Sequence, residues 1–311
     1  MNDDQVAEAA TRAGIDVRPM TVHIGAELFG VDLADELSDG QVAAIRAALL
    51  RWKVVFFRDQ MLDHASHVRM ARRFGDPTPA HVVFGTNESH PEVYSIAKHR
   101  TAQNGRTVAT RCWTGWHTDI TAAINPPWAS ILRGVTVPPY GGDTHWTNLA
   151  LAYERLPEDI KHRIEALRAV HRFDDAKSEE DEYARKVNEG RLAAEHPLVT
   201  MHPETGEKVL YVSPAFVKEI VGLDPDESRA LLEILWEHAV STEFTVRFRW
   251  APGSVAFWDN RATAHLAPVD IFATDFDRQF YRVTLNGDVP MGTDGRASTL
   301  LSGKPIDAQP F

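Results

Sequence analysis

His117 and Asp119 stand two residues apart, and a third metal-binding residue type, His265, lies far downstream. Two imidazoles and one carboxylate form the facial ligand set of a mononuclear non-haem iron(II) centre, which keeps coordination positions open. Open positions admit O2 and an organic co-substrate, so these ligand types point to an oxygenase. In a strand, residues i and i+2 share a face. His117 and Asp119 then converge, while Trp116 and Thr118 face the other way. Pro126 and Pro127 follow closely and disfavour a long helix there. His265 ends the run Trp258-Asp259-Asn260-Arg261-Ala262-Thr263-Ala264-His265 and must reach the pair from another strand or loop. Alone, a His-x-Asp pair also fits a polar strand that binds no metal. The remaining histidines read as surface or structural, with His162 and His171 on or beside a surface helix.

Arg278 and Arg282 form a second pattern, with Phe280 between them, ahead of Val283-Thr284-Leu285. On one strand they share a face, roughly 13 Å apart at strand rise. Two inward cations are costly unless each meets an anion. Two anion sites would satisfy them, one for a co-substrate and one for a substrate. A pair of internal salt bridges would do so equally, with 44 acidic residues available.

The elements that must position these residues are legible in part. Val22, Ile24, Ala26 and Leu28 alternate within a strand pair expected over 19–34. Ser38 with Gln41 is a capping box ahead of Val42, Ile45, Leu49 and Leu50 at helical spacing. Val54-Val55-Phe56-Phe57 reads as a buried strand, and a helix is expected over 63–74, stopping at Gly75. A strand is expected over 131–137. Pro157 opens a helix with Ile160, Ile164 and Leu167 on one face. Asp224-Pro225-Asp226-Glu227 starts another, burying Leu231, Leu232, Leu235 and Trp236. Phe244, Val246, Phe248 and Trp250 alternate as a strand, and 254–258 and 280–285 add two more. The polar stretch 172–195 reads either as a flap or as a solvated insertion. Residues 1–18 read as a loosely held lead-in, 19–290 as one domain and 291–311 as a C-terminal tail. Strands along the chain with appended helices give an α+β architecture on a β-sandwich or barrel.

Composition excludes several classes. The chain has 311 residues and a net charge of −11, with pI about 5.7. An acidic balance argues against nucleic-acid and anionic-membrane binding. No apolar run reaches transmembrane length, and Met1-Asn2-Asp3-Asp4 lacks the basic start of a signal peptide. The single cysteine, Cys112, excludes an internal disulfide and fits a reducing cytoplasm. Beside Trp113 it reads as a small wall residue rather than a reactive thiol.

Four motifs occur in order: Trp116-His117-Thr118-Asp119, Gly141-Gly142-Asp143-Thr144, Trp258-Asp259-Asn260-Arg261 with His265, and Arg278 with Arg282. Together they resemble the taurine dioxygenase family of iron(II)- and 2-oxoglutarate-dependent oxygenases, which includes alkylsulfatase-type members. The likeness runs from about Val22 to Asp288. It implies a double-stranded β-helix, a cupin-like jelly roll with helices packed on one side. It implies iron(II) on His117, Asp119 and His265, and 2-oxoglutarate on Thr144 and Arg278, with O2 as the other co-substrate. A guanidinium fork and a threonine hydroxyl suit a carboxylate.

The resemblance also implies a small anionic organic substrate with a sulfonate or sulfate head on Arg282 and His81. Phe84, Ile120 and Phe216 match apolar pocket positions, and Trp113 lies in the stretch where this chain departs from the pattern. Taurine-specific members carry polar groups for the amine just before the Trp-His-x-Asp motif. Here Arg111-Cys112-Trp113-Thr114-Gly115 stands in that place, and Phe84 replaces a tyrosine. A longer or more apolar sulfonate or alkyl sulfate is therefore expected. The carbon next to sulfur or oxygen would be hydroxylated, releasing sulfite or sulfate and an aldehyde, with succinate and CO2 as co-products. Two rivals stay open: a same-fold oxygenase acting on a carboxylate, such as an aryloxyalkanoate or amino-acid derivative, and a catalytically dead metal-binding module. Family members are often dimers or tetramers, so a homo-oligomer is expected.

Overall fold

The computed structural model describes residues 3–80, 89–98, 111–173, 191–267 and 269–307. Helix α1 (Asp3–Arg12) buries Val6 and Ala10, one turn apart, against the apolar core. Strand β1 (Asp16–Pro19) then pairs antiparallel with β2 (Ala26–Phe29). The segment expected to be a loose lead-in is therefore ordered from residue 3, because its i, i+4 apolar pair has a surface to bury against. Val22 lies outside the strands and is exposed.

Helix α2 (Asp39–Trp52) begins at Ser38, which accepts from the Gln41 backbone N–H while the Gln41 side chain caps Ser38 in return. It buries Ala44, Ile45, Ala48 and Leu49. β3 (Val54–Phe57) is buried at all four positions. Asp63 caps α3 (His64–Arg72). The chain continues through β4 (Tyr94–Ala97), β5 (Ala129–Thr136), β6 (Thr144–Asn148), α4 (Leu149–Glu154) and α5 (Glu158–Ile164). It then forms β7 (Arg168–Arg172), β8 (Ala193–Pro197), β9 (Val199–Met201), β10 (Lys208–Leu210) and β11 (Val217–Ile220). α6 (Pro225–Ala239) starts at its Asp224 cap as the sequence predicts. β12 (Thr245–Phe248), β13 (Val255–Asp259), β14 (Thr263–Leu266), β15 (Gln279–Leu285) and β16 (Thr299–Ser302) complete the chain.

Seven strands form one sheet in the order β1-β2-β3-β13-β5-β15-β4, and three form a second in the order β12-β6-β14. Period-two alternation decides what each face meets. Val55, Phe57, Ile131, Val255, Phe257, Val283 and Leu285 pack with the apolar faces of α1–α3. Their neighbours Val54, Phe56, Leu132, Ala256, Trp258 and Phe280 pack with Trp146, Val246 and Phe248 of the smaller sheet. The two sheets therefore face each other across an aromatic core, with Phe56 stacked on Phe248 at 4.1 Å and Trp146 edge-on to Trp258 at 5.6 Å.

Helices cover more than the expected single side. Leu149 and Leu151 of α4, and Leu231, Leu232 and Leu235 of α6, share a second core with Ala264 of β14. The outward positions of β14 are apolar and need that cover. A four-stranded sheet, β11-β7-β8-β16, includes the segment expected to be a tail, since β16 pairs with β8. Of the expected flap, residues 174–190 lie outside the described residues.

Candidate metal centre and its anion-binding surroundings

His117, Asp119 and His265 meet at the rim between the facing sheets, with one ligand atom from each within 4.8 Å of the others. The expected strand around His117 is a single bridge. His117 N–H donates to His265 O at 2.9 Å, and His265 N–H donates to His117 O at 2.7 Å. The chain then turns, with Ile120 at φ 49°, a conformation rare for a β-branched residue. His117 and Asp119 still converge, and Trp116 and Thr118 do face away. Trp116 joins the outer core, and Thr118 Oγ1 donates to Thr263 O at 2.7 Å.

The chemistry of the donor set suits a divalent metal. His265 is buried and its Nδ1 has no hydrogen-bond partner. Burial and the neighbouring His117 ring push its pKa well below the ordinary value against the pull of Asp119, leaving a neutral imidazole with a lone pair. Burial alone would raise the Asp119 carboxyl, but Arg282, both imidazoles and the Ser130 hydroxyl hold it at about 2. The ligand is anionic at neutral pH.

A buried relay aims that carboxylate. Ser130 Oγ on β5 donates to Asp119 Oδ2 at 2.6 Å, Asn260 Nδ2 donates to Ser130 Oγ at 2.8 Å, and Trp258 Nε1 donates to Asn260 Oδ1 at 2.8 Å. Ser130 carries no sequence signal of its own, and Asn260 stands in a recognisable motif whose spacing says nothing of this contact.

Arg278 and Thr144 are linked through two aromatic rings, Phe280 and Trp250. Gly141 and Gly142, at φ 79° and 67°, turn the chain into β6, and a Cβ on Gly142 would lie 3.2 Å from Arg278 Nε. The Arg278 guanidinium lies 3.9 Å above the Phe280 ring, which packs edge-on to Trp250 at 4.8 Å. Trp250 Nε1 in turn donates to Thr144 Oγ1 at 2.9 Å. An indole N–H can only donate, so the threonine keeps its own proton for a further acceptor. Arg278 Nε is buried without a partner, and burial pushes its pKa down to about 10 despite Asp270 nearby. A hydroxyl with a proton to give and a guanidinium short of an anion suit the distal carboxylate of 2-oxoglutarate.

Arg282 behaves differently. Its Nη1 lies 2.6 Å from Asp119 Oδ1, and its Nε is buried and unpartnered. Arg282 thus makes an internal salt bridge, while the Nε of Arg278 has no hydrogen-bond partner among the described residues. A register shift between Gln279 and Phe280 separates them. Among the remaining predicted residues, Ile120 and Phe216 join one apolar cluster. Trp113 lies apart from it, beside Trp236 at 6.1 Å and under the Arg111 guanidinium at 5.7 Å. His81 and Phe84 lie outside the described residues. Cys112 is exposed rather than a wall residue. His171, expected near the surface, is buried on β7 and hydrogen-bonded to Thr121 Oγ1 at 2.9 Å.

Two imidazoles and a carboxylate placed to hold one metal ion, with the Arg282 guanidinium on that carboxylate, are the donor set of a metal-dependent oxygenase. The family model "Taurine catabolism dioxygenase TauD, TfdA family" matches residues 16–284, and the chain belongs to that family. It is 39% identical over 308 residues to an alpha-ketoglutarate-dependent sulfate ester dioxygenase of Pseudomonas putida, covering 96% of this chain and 98% of that protein. An alkylsulfatase of Acinetobacter baylyi is 36% identical over 305 residues, covering 95% and 92%. The crystal structure of a taurine dioxygenase from Burkholderia xenovorans is 60% identical and superposes with a TM-score of 0.84, covering 94% of this chain and 96% of that one. The chain is thus a 2-oxoglutarate-dependent dioxygenase. No helix among the described residues is long and apolar enough to cross a membrane.

Proposed function

We propose that this dioxygenase uses iron(II) to hydroxylate the carbon next to oxygen in a small alkyl sulfate, or next to sulfur in an alkanesulfonate, with alkyl sulfates preferred. The hydroxylated sulfate ester collapses to an aldehyde and sulfate, and the sulfonate to an aldehyde and sulfite. Succinate and CO2 are the co-products. The observation that carries this reading is the convergence of His117, Asp119 and His265 with the Arg282 guanidinium on Asp119. A homo-oligomer, dimer or tetramer, in the cytoplasm goes with it. The two facing sheets are read as the jelly roll of the family.

His117, Asp119 and His265 would hold the iron, which with 2-oxoglutarate and O2 supplies the oxidising power for C–H hydroxylation. Thr144 donates its free hydroxyl proton, and Arg278 its Nε–H, to the distal carboxylate of the co-substrate, fixing it by two directional bonds. Arg282 keeps Asp119 in place through Nη1 and offers its remaining N–H groups to the sulfate or sulfonate head. Gripping that head sets which carbon faces the metal. His81 would share this head, and Phe84, Ile120 and Phe216 would line the apolar part and exclude water. In sequence, Arg111 and Trp113 stand where taurine-specific members of the family carry polar groups for the amine, and a basic residue there would disfavour taurine. The names of the Pseudomonas and Acinetobacter relatives favour a sulfate ester.

Anaerobic reconstitution with iron(II) and 2-oxoglutarate, followed by admission of air with alkyl sulfates, alkanesulfonates, taurine and aryloxy acids, tests this function. Succinate formed in step with sulfate from alkyl sulfates is the expected result. Substrate-stimulated succinate with aryloxy acids alone would replace the sulfur substrate with a carboxylate. His117→Ala or Asp119→Ala should abolish turnover, and normal activity in either would remove the metal assignment.

A further inference from the structure

The C-terminal segment beyond β16 has no part in the chemistry above, yet it reaches the apolar cluster that holds Ile120 and Phe216. Ile306 is buried and packs with Phe216, Leu192, Ala122 and Ala123, and Ile120 lies against the same cluster. Ile120 directly follows Asp119, so this apolar cluster begins one residue from the candidate metal ligand. Ile306 is held there by its backbone. Its N–H donates to Asn125 Oδ1 at 2.8 Å, and its carbonyl accepts from Asn125 Nδ2 at 2.9 Å. One side-chain amide thus satisfies both polar groups of the residue, as a neighbouring strand would.

A second attachment lies eight residues earlier. Ser298 Oγ is 2.7 Å from His196 Nδ1, and His196 Nε2 meets Thr121 O at 2.8 Å and Ala123 O at 3.2 Å. Between these points β16 pairs with β8. Asn125, Thr121 and Ala123 all belong to the turn that follows Asp119. The tail is therefore fastened to the loop that carries the candidate metal ligand directly at Asn125 and indirectly through His196 of β8, which meets both Ser298 and the loop carbonyls, and these contacts fix where Ile306 sits in the cluster.

We propose that Ile306 is the end wall of the substrate's apolar pocket and sets the length of alkyl chain that the enzyme accepts. The inference rests on the reading of Ile120 and Phe216 as pocket residues. It adds that specificity for chain length is written in the C-terminal tail and its Asn125 clamp. Closely packed walls discriminate single methylenes, and one methylene in an apolar enzyme pocket changes specificity by about tenfold or more.

The test uses the full chain with iron(II) and 2-oxoglutarate, in wild type, Ile306→Ala and Ile306→Trp. Anaerobic calorimetry gives affinities for linear alkyl sulfates from ethyl to dodecyl, and in parallel for linear alkyl carboxylates. The alanine variant should gain about tenfold for chains one or two carbons beyond the wild-type optimum. The tryptophan variant should lose about tenfold at that optimum while keeping the shorter chains. Unchanged 2-oxoglutarate affinity shows that both variants are folded. Asn125→Asp, which removes the Nδ2 donor, should blunt the length cutoff in the same sense as alanine. Equal chain-length profiles in wild type and both Ile306 variants would overturn the proposal. If wild type binds only the carboxylate series, the sulfate head fails while Ile306 is still judged by the carboxylate profile. Binding of neither series refutes both.

Discussion

Replacing Ser130 with alanine isolates what the relay behind Asp119 contributes. The Ser130 hydroxyl has one proton and already accepts from Asn260 Nδ2, so that proton points to Asp119 Oδ2 at 2.6 Å. Hydrogen bonds to charged groups contribute about 1.5–3 kcal/mol. Partners of metal ligands shift metal affinity by roughly 10- to 100-fold. Arg282 remains on the other carboxylate oxygen, so the expectation for Ser130→Ala is the lower end, about tenfold weaker iron(II) binding. The same change leaves Asn260 Nδ2 buried without an acceptor, at a cost of about 1–3 kcal/mol in stability. Anaerobic calorimetric titration with iron(II) measures the first effect and urea unfolding the second, with Ser130→Thr as the variant that keeps the hydroxyl. Iron affinity equal to wild type in Ser130→Ala, alongside a lowered urea midpoint, would refute the relay and leave Ser130 a packing residue.

Trp250→Phe keeps an aromatic ring, though a smaller one, and removes the N–H that orients Thr144, so 2-oxoglutarate should bind about five- to tenfold more weakly. An unchanged dissociation constant by calorimetry would show that the indole does not direct that proton. Arg278→Ala should raise the 2-oxoglutarate KM far more than the substrate KM, and equal effects would contradict its role. Arg282→Ala should raise the substrate KM and, because Arg282 also holds Asp119, weaken iron(II) binding as well; an unchanged substrate KM removes it from the head site. Acid should destabilise the fold through His196, which burial holds at about 4 against an ordinary 6.5. Between those values the unfolded chain binds a proton that the folded chain does not, so stability is lost as pH falls through that window, by up to about 3 kcal/mol. Urea midpoints from pH 7 to 4 in wild type and His196→Gln check this, and the same slope in both would clear His196.

Local chemistry was the most legible part of the chain. The Ser38–Gln41 capping box and the Asp63 and Asp224 caps start their helices where expected, because a cap acts within four residues. Alternation in 244–250 and 280–285 marks real strands whose inner and outer faces meet different partners. Elements that depend on distant partners were not legible. The polar stretch after His171 gives no sign that its ring will be buried against Tyr211, 5.5 Å away. The tail after 291 looks like an end, and becomes strand β16 only because the edge of β8 is open to it.

The candidate site shows the same division within a single motif. In Trp258–His265 the ligand is readable, but the reason for the residues before it is not. Asp259 is fully buried and accepts from Arg261 N, Nε and Nη2 and from His202 Nε2. Burial would raise its carboxyl, yet Arg261 and His202 hold it well below the ordinary range. Thr263 Oγ1 then donates to Asp259 O at 2.7 Å, closing the turn into β14. That turn sets the register in which His265 N–H and His117 O meet. A one-residue slip in β14 would send the His265 ring to the outer face that Ala264 occupies. Asp259 thus helps to place the third candidate ligand, through a carbonyl that Thr263 holds and a buried carboxylate compensated first by Arg261 and then by His202, 57 residues away, where no spacing rule could have found it.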